Sequence, residues 1–126
     1  MKKILLITSL FLLTFTGYCQ FTVNVHVEGP CVYPQENTFY WANVKVYLGT
    51  TLLANEFGTS STEDIEVIIP QFCVSDDSPE YNIVVDAMKA YITPFSRICK
   101  GTLIDPTPYS CDQFFSGDVL PNVELE

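Results

Sequence analysis

From Phe21 onward, apolar and polar residues take turns. Phe21, Val23, Val25 and Val27 alternate with Thr22, Asn24, His26 and Glu28, a period of two that sends each set to its own face of an extended strand. Ala42, Val44, Val46 and Leu48 stand in the same relation to Asn43, Lys45 and Tyr47. The same reading predicts strands over 51–57, 65–69 and 81–90, with shorter ones over 102–104 and 119–125. In 81–90 both faces carry apolar residues, Val84 and Met88 on one and Ile83, Val85 and Ala87 on the other. That strand is predicted to be covered on both sides.

Turn-forming clusters separate these runs: Gly29-Pro30, Leu48-Gly49-Thr50, Gly58 to Ser61, Ser75 to Pro79, and Asp105 to Pro108. No window of ten or more residues carries a helical stripe, and 86–91, the one segment of helix formers, is too short to stand as a helix. The chain therefore reads as all-β: a single antiparallel β-sandwich of about seven strands. Within each strand Val23, Val25, Val44, Val46, Ile65, Val67, Ile69 and Val85 fall two apart, and they are expected to line one shared core.

Ahead of the first strand the pattern changes. Lys2 and Lys3 precede an apolar run over 4–15 and a short polar close at 16–19, the order of a secretory signal peptide. About a dozen residues is too short for a spanning helix, which needs roughly twenty. Cleavage is expected after Cys19, with Gly17 and Cys19 as the small residues before the cut and Gln20 as the new N-terminus. This N-terminus resembles those of secreted Bacteroidetes proteins, many of which begin at Gln. The competing reading, Cys19 as a lipidated residue, lacks the Gly or Ala that should precede it, since Tyr18 stands there. The expected organisation is a signal peptide at 1–19 and one β-sandwich domain at 20–126. That domain is secreted or periplasmic, with no membrane span in the mature chain.

Removing the leader sharpens the charge. Lys45, Lys89, Arg97 and Lys100 then face fifteen carboxylates, a net charge near −11. Such a surface repels phosphate backbones and anionic lipid, so nucleic-acid partners are disfavoured. An oxidising compartment makes Cys31, Cys73, Cys99 and Cys111 disulfide partners. Their spacings of 42, 26 and 12 residues include no C-x-x-C pair, and with one histidine in the chain no zinc site is available. Four cysteines allow three pairings; the favoured one joins Cys99 to Cys111 across a short Pro- and Gly-containing loop, and Cys31 to Cys73.

Three segments then carry a family resemblance. Ala42-Asn43-Val44-Lys45-Val46-Tyr47, the turn Gly58-Thr59-Ser60-Ser61-Thr62 leading into Ile65-Glu66-Val67-Ile68-Ile69-Pro70, and Tyr81-Asn82-Ile83-Val84-Val85-Asp86-Ala87 resemble the carboxypeptidase-regulatory-like and transthyretin-like β-sandwich modules. Those modules pair an A-x-V-x-V strand with a threonine-rich turn, a strand ending in Pro and a Y-x-V-x-V-x-A strand. The usual Asp and Gly of the turn are replaced here by Glu63 and Asp64, and the cysteines are additional. The resemblance covers about fifty residues and implies an Ig-like or transthyretin-like sandwich of accessory or adhesive, non-catalytic character.

Catalytic constellations are close to absent. His26 is the one possible imidazole base and sits on the polar face of its strand, and there is no G-x-S-x-G elbow, H-E-x-x-H helix or phosphate loop. Asp76, Asp77 and Glu80 offer three carboxylates but match no calcium loop, and read as a solvated acidic turn; no metal or cofactor is expected. Phe39, Tyr40 and Trp41 cannot all face one side of a strand. Either Tyr40 or Trp41 is exposed as a platform for a glycan or protein partner, or Trp41 is the central core residue. The 99–111 loop, with Lys100 after its first cysteine and Tyr109 before its second, is a further candidate surface. The expected function is a non-enzymatic secreted or cell-envelope binding or structural module. The alternatives are a peptidase inhibitor presenting the 99–111 loop, stiffened by its disulfide, and a small secreted hydrolase using paired carboxylates.

Overall fold

The computed structural model describes residues 20–29, 38–75, 78–91 and 98–126. The proposed signal peptide, Cys31, Asp76, Asp77 and Arg97 lie outside them. In chain order the elements are β1 (Gln20–Glu28), β2 (Thr38–Leu48), β3 (Thr51–Ser60), β4 (Asp64–Pro70), β5 (Glu80–Tyr91), β6 (Ile98–Ile104), β7 (Tyr109–Ser110), α1 (Cys111–Ser116) and β8 (Asn122–Glu124). β2 and β3 each run about three or four residues beyond the expected limits, because the two-residue period continues through Thr38–Trp41 and Gly58–Ser60.

Two sheets form, one in the order β4-β1-β8 and the other β3-β2-β5-β6, with β7 added to the start of β5. Their inward residues make one core, and all eight residues expected to line it are 0% exposed. The outward side of β5 is different. Val84 and Met88 are only half-buried, so the strand expected to be covered twice is covered once.

Every strand pair is antiparallel except β1 with β8, which run parallel with His26 beside Asn122 and Glu28 beside Glu124. The direction follows from α1. It carries the chain across one end of the core, so β8 must run back alongside β1. The six-residue helix was not expected, being too short for a period to register. Its boundaries are nonetheless written locally: Ser110 Oγ accepts from the Gln113 amide, the Gln113 side chain accepts from the Ser110 amide at 2.8 Å, and Gly117 ends the helix at φ 77°.

The edges of the two sheets are drawn together by residues with no side chain. A Cβ on Gly58 would stand 2.4 Å from the Glu66 carbonyl oxygen of β4, and one on Gly101 would stand 2.1 Å from that of Glu124 in β8. Only glycine permits backbones this close. Beyond β8, the Leu125 amide donates to the Glu28 carbonyl at 2.7 Å, and Glu126 exchanges backbone hydrogen bonds with Lys100 at 2.9 and 3.3 Å. The last residues thus stitch β1 to β6, one sheet to the other.

One disulfide joins Cys73 to Cys111, with Cα atoms 6.0 Å apart. This corrects both expected pairings, and the register gives the reason. Cys99 lies opposite Lys89 of β5, whereas Cys111 follows Ser110, which lies opposite Glu80. Nine residues of strand separate those points, roughly 30 Å, against a disulfide reach of about 4.4–6.8 Å. Cys73 follows Pro70, which pairs with Gln20 at the start of β1, eight residues of strand from Glu28 where β1 finishes, and it is already engaged by Cys111. Cys99 is buried and is itself disulfide-bonded.

Candidate functional site

The four-stranded sheet turns one face to the core and the other outward. Ala42, Val44 and Val46 point in, so strand alternation places Tyr40 with them and sends Phe39, Trp41, Asn43, Lys45 and Tyr47 out. The outward residues align across strands. One row runs Thr59, Trp41, Met88, Lys100; the next Phe57, Asn43, Asp86, Thr102; the third Asn55, Lys45, Val84, Ile104. Four strands about 4.8 Å apart make this face roughly 14 Å wide.

Its chemistry is mixed and ordered. The Trp41 and Phe57 rings lie 6.1 Å apart at an angle of 31°, and Phe57 is 64% exposed. Beside them Asn43 donates through Nδ2 to Asn55 Oδ1 at 2.7 Å, and Thr102 Oγ1 donates to Asp86 Oδ1 at 2.7 Å. These bonds hold the polar groups in fixed directions, leaving further lone pairs and N–H groups facing solvent. Flat aromatic surface flanked by oriented amides and a carboxylate can receive a ligand with both C–H faces and hydroxyl edges.

The four expected binding-surface residues separate. Trp41 and Lys100 share the outer face, in one row with Met88 between them. Tyr40 is 7% exposed and faces inward, which leaves Trp41, not Tyr40, as the ring on the outer face of this sheet. The alternation already visible from Ala42 to Leu48 contains this answer once it is carried two residues back. Tyr109, expected with Lys100 on a second surface, sits at the opposite end of β5 from Lys100 and Trp41, paired with Tyr81.

Tyr109 is half-buried against Phe114, and its hydroxyl donates to Asp105 Oδ2 at 2.5 Å. Burial first, then the bond to that carboxylate, pushes its pKa from the usual 10 up to about 12. The neutral phenol is therefore the native form. Its contribution to stability is complete below pH 10 and is lost as pH rises from there toward 12, where the unfolded chain ionises first. A spectrophotometric titration is expected to show one tyrosine ionising about two units late, and Asp105→Asn to bring that step part of the way back. If every tyrosine titrates near 10, the bond is absent.

At the other end of the molecule, His26 Nδ1 lies 2.8 Å from Asp64 Oδ1. This bond, with smaller contributions from Glu28 and Glu63, raises the imidazole pKa above 6.5 against a slight desolvation. The pair is solvent-exposed and its stabilising effect, present below pH 6.5, fades as pH passes the raised value.

Close by, Lys89 is 5% exposed. Strand alternation aims it inward, opposite Tyr40 on β2 and Cys99 on β6, and its Nζ lies 5.5 Å from the Tyr40 ring centroid. Among the described residues no carboxylate comes within ion-pair distance of it. Burying an unpaired ammonium costs several kcal/mol, and a ring face returns only about 0.5–2. In the sequence from Gln20 onward, Lys89 reads as one of four cations set against fifteen carboxylates. Its inward parity in 81–90 was the available signal.

Among the described residues no cluster of His, Cys, Asp or Glu has the makings of a metal site, and no helix is long and apolar enough to cross a membrane. Fold and site together define an all-β, two-sheet, disulfide-linked domain with an open aromatic face. Compared with protein-family models, curated proteins and solved structures, the chain matches none.

Proposed function

We propose that this protein is a non-enzymatic binding module of the secretome or cell envelope, delivered by the signal peptide at 1–19, and that it holds a glycan on the outer face of its four-stranded sheet. The observation that carries the reading is the outward pair Trp41–Phe57, with Met88 beside it and the Asn43–Asn55 and Asp86–Thr102 pairs fixed next to it. A sugar ring stacks its C–H face on an aromatic plane while its hydroxyls reach the neighbouring amides. The strong negative charge favours a neutral polysaccharide over a polyanion. The segments that resemble carboxypeptidase-regulatory-like and transthyretin-like modules fall on β2, the β3–β4 turn with β4, and β5, which is consistent with an accessory or adhesive role. The inhibitor alternative rested on a loop closed by Cys99–Cys111, and Cys111 bridges to Cys73 instead, so the sheet face is the better-supported surface.

Affinity electrophoresis against a panel of neutral polysaccharides tests this. At least one glycan should retard the protein, and Trp41→Ala should weaken the retardation tenfold or more while the circular dichroism spectrum is kept. Equal retardation of wild type and Trp41→Ala removes the sheet face from the reading; no retardation by any member removes the glycan.

The secretory route makes a second statement. Lys100 bonds to Glu126 and Leu125 to Glu28, so Cys99 lies at the end of the molecule where β1 exits through Gly29, two residues before Cys31. We infer a second bridge, Cys31–Cys99. Non-reducing peptide mapping should then find 31 linked to 99, 73 linked to 111, and Gln20 as the first residue. A free Cys31, or an acyl group on Cys19, would defeat this assignment.

A further inference from the structure

A second site lies apart from the sheet face, where β1, β2, β5 and the residues after β8 meet. There a cleft of about 200 Å³ is lined by Val27, Glu28, Gly29, Tyr40, Glu63, Lys89 and Leu125. Drug-sized ligands occupy roughly 300–1,000 Å³, so this cleft is of single-amino-acid size. We propose that it binds a free amino acid with an apolar side chain, its carboxylate on Lys89 and its ammonium toward Glu28 and Glu63.

Three observations converge on that chemistry. Lys89 is an inward-facing cation, 5% exposed, whose contact among the described residues is the face of Tyr40 and not a carboxylate; a ligand carboxylate supplies the missing counter-charge. Glu28 and Glu63 line the same cleft, and Glu28 is held in place by Asn122 Nδ2 at 2.7 Å from Oε1. Val27, Leu125 and the Tyr40 ring provide apolar wall between the two charged ends. The charge of the whole chain selects among ligands: a simple anion is repelled by the excess of carboxylates, whereas a zwitterion is neutral at long range and meets both signs only inside the cleft.

Calorimetric titration of the intact protein with leucine, N-acetyl-leucine and leucine amide tests the proposal. Leucine should bind saturably, and each blocked analogue at least tenfold more weakly, a comparison that needs no variant. Lys89→Met, which keeps the aliphatic stem, should weaken leucine at least tenfold; Glu63→Gln should weaken leucine and leave N-acetyl-leucine unchanged. Absence of saturable binding overturns the proposal, as does folded Lys89→Met binding leucine as tightly as wild type. Equal affinity for leucine and N-acetyl-leucine would make this a carboxylate site and overturn the assignment to a zwitterion. Glycan retardation serves as the independent readout for the sheet face and should be unchanged by either variant.

Discussion

Phe114→Ala should lower the free energy of unfolding by about 4 kcal/mol, the middle of the range for removing a buried aromatic. Phe114 is 2% exposed and closes one end of the core, with ring centroids of Phe72 at 4.9 Å, Phe21 at 5.8 Å, Tyr109 at 6.2 Å and Tyr81 at 6.3 Å. Its truncation leaves four rings facing a void that the surrounding strands cannot close. The neighbour Phe115 supplies the control, since it touches Phe21 at 4.8 Å but is 47% exposed. Phe115→Ala should cost about 1 kcal/mol. Urea denaturation of both variants measures the difference; equal losses would mean that the helix is not seated on the core as described.

Replacing Cys73 and Cys111 together by serine should cost about 4 kcal/mol by the loop-entropy relation for a separation of 38 residues. The bridge anchors the start of α1 to the segment after β4, so its removal also frees the helix that presents Phe114. The triple variant with Phe114→Ala should therefore lose less than the two effects added, because both act on one docking event. The β-rich spectrum should persist in the double variant, as both sheets are paired independently of this link. A loss under about 1 kcal/mol would place the helix under the control of its caps and core contacts alone.

The strand core was legible because burial and period coincide there. Val23 and Val25, Val44 and Val46, Ile65, Val67 and Ile69, and Ile83 and Val85 are β-branched, two apart within their strands and buried on one side, so local pattern and tertiary environment agree. Disulfide pairing was not, since sequence spacing measures chain length and the bridge depends on which end of a strand each cysteine occupies. Only the register of β5 against β6 and β7 separates Cys99 from Cys111. Part of the site is open to inspection: Trp41 and Lys100 stand among the sequence candidates, and extending the alternation of β2 back to Thr38 turns Tyr40 to the inner face and leaves Trp41 on the outer one. Phe57 was invisible as a partner because its meeting with Trp41 needs the β2–β3 register, which includes an irregularity at Val46/Tyr47. Lys89 was overlooked for a simpler reason. A charged residue is assumed to face water, and at this position the pleat decides otherwise.

The parallel seat of β8 beside β1 also has a consequence for how the polypeptide matures. His26 waits for Asn122, and Glu28 for Leu125, so during N-to-C synthesis β1 can find β4 early but its other edge stays bare until Asn122, 94 residues after Glu28, has been made. A nascent chain in that interval offers an unpaired, valine-rich strand to any extended neighbour. Export as an unfolded thread would postpone the exposure until all the partners arrive together, and would let cystine formation follow strand closure instead of preceding it.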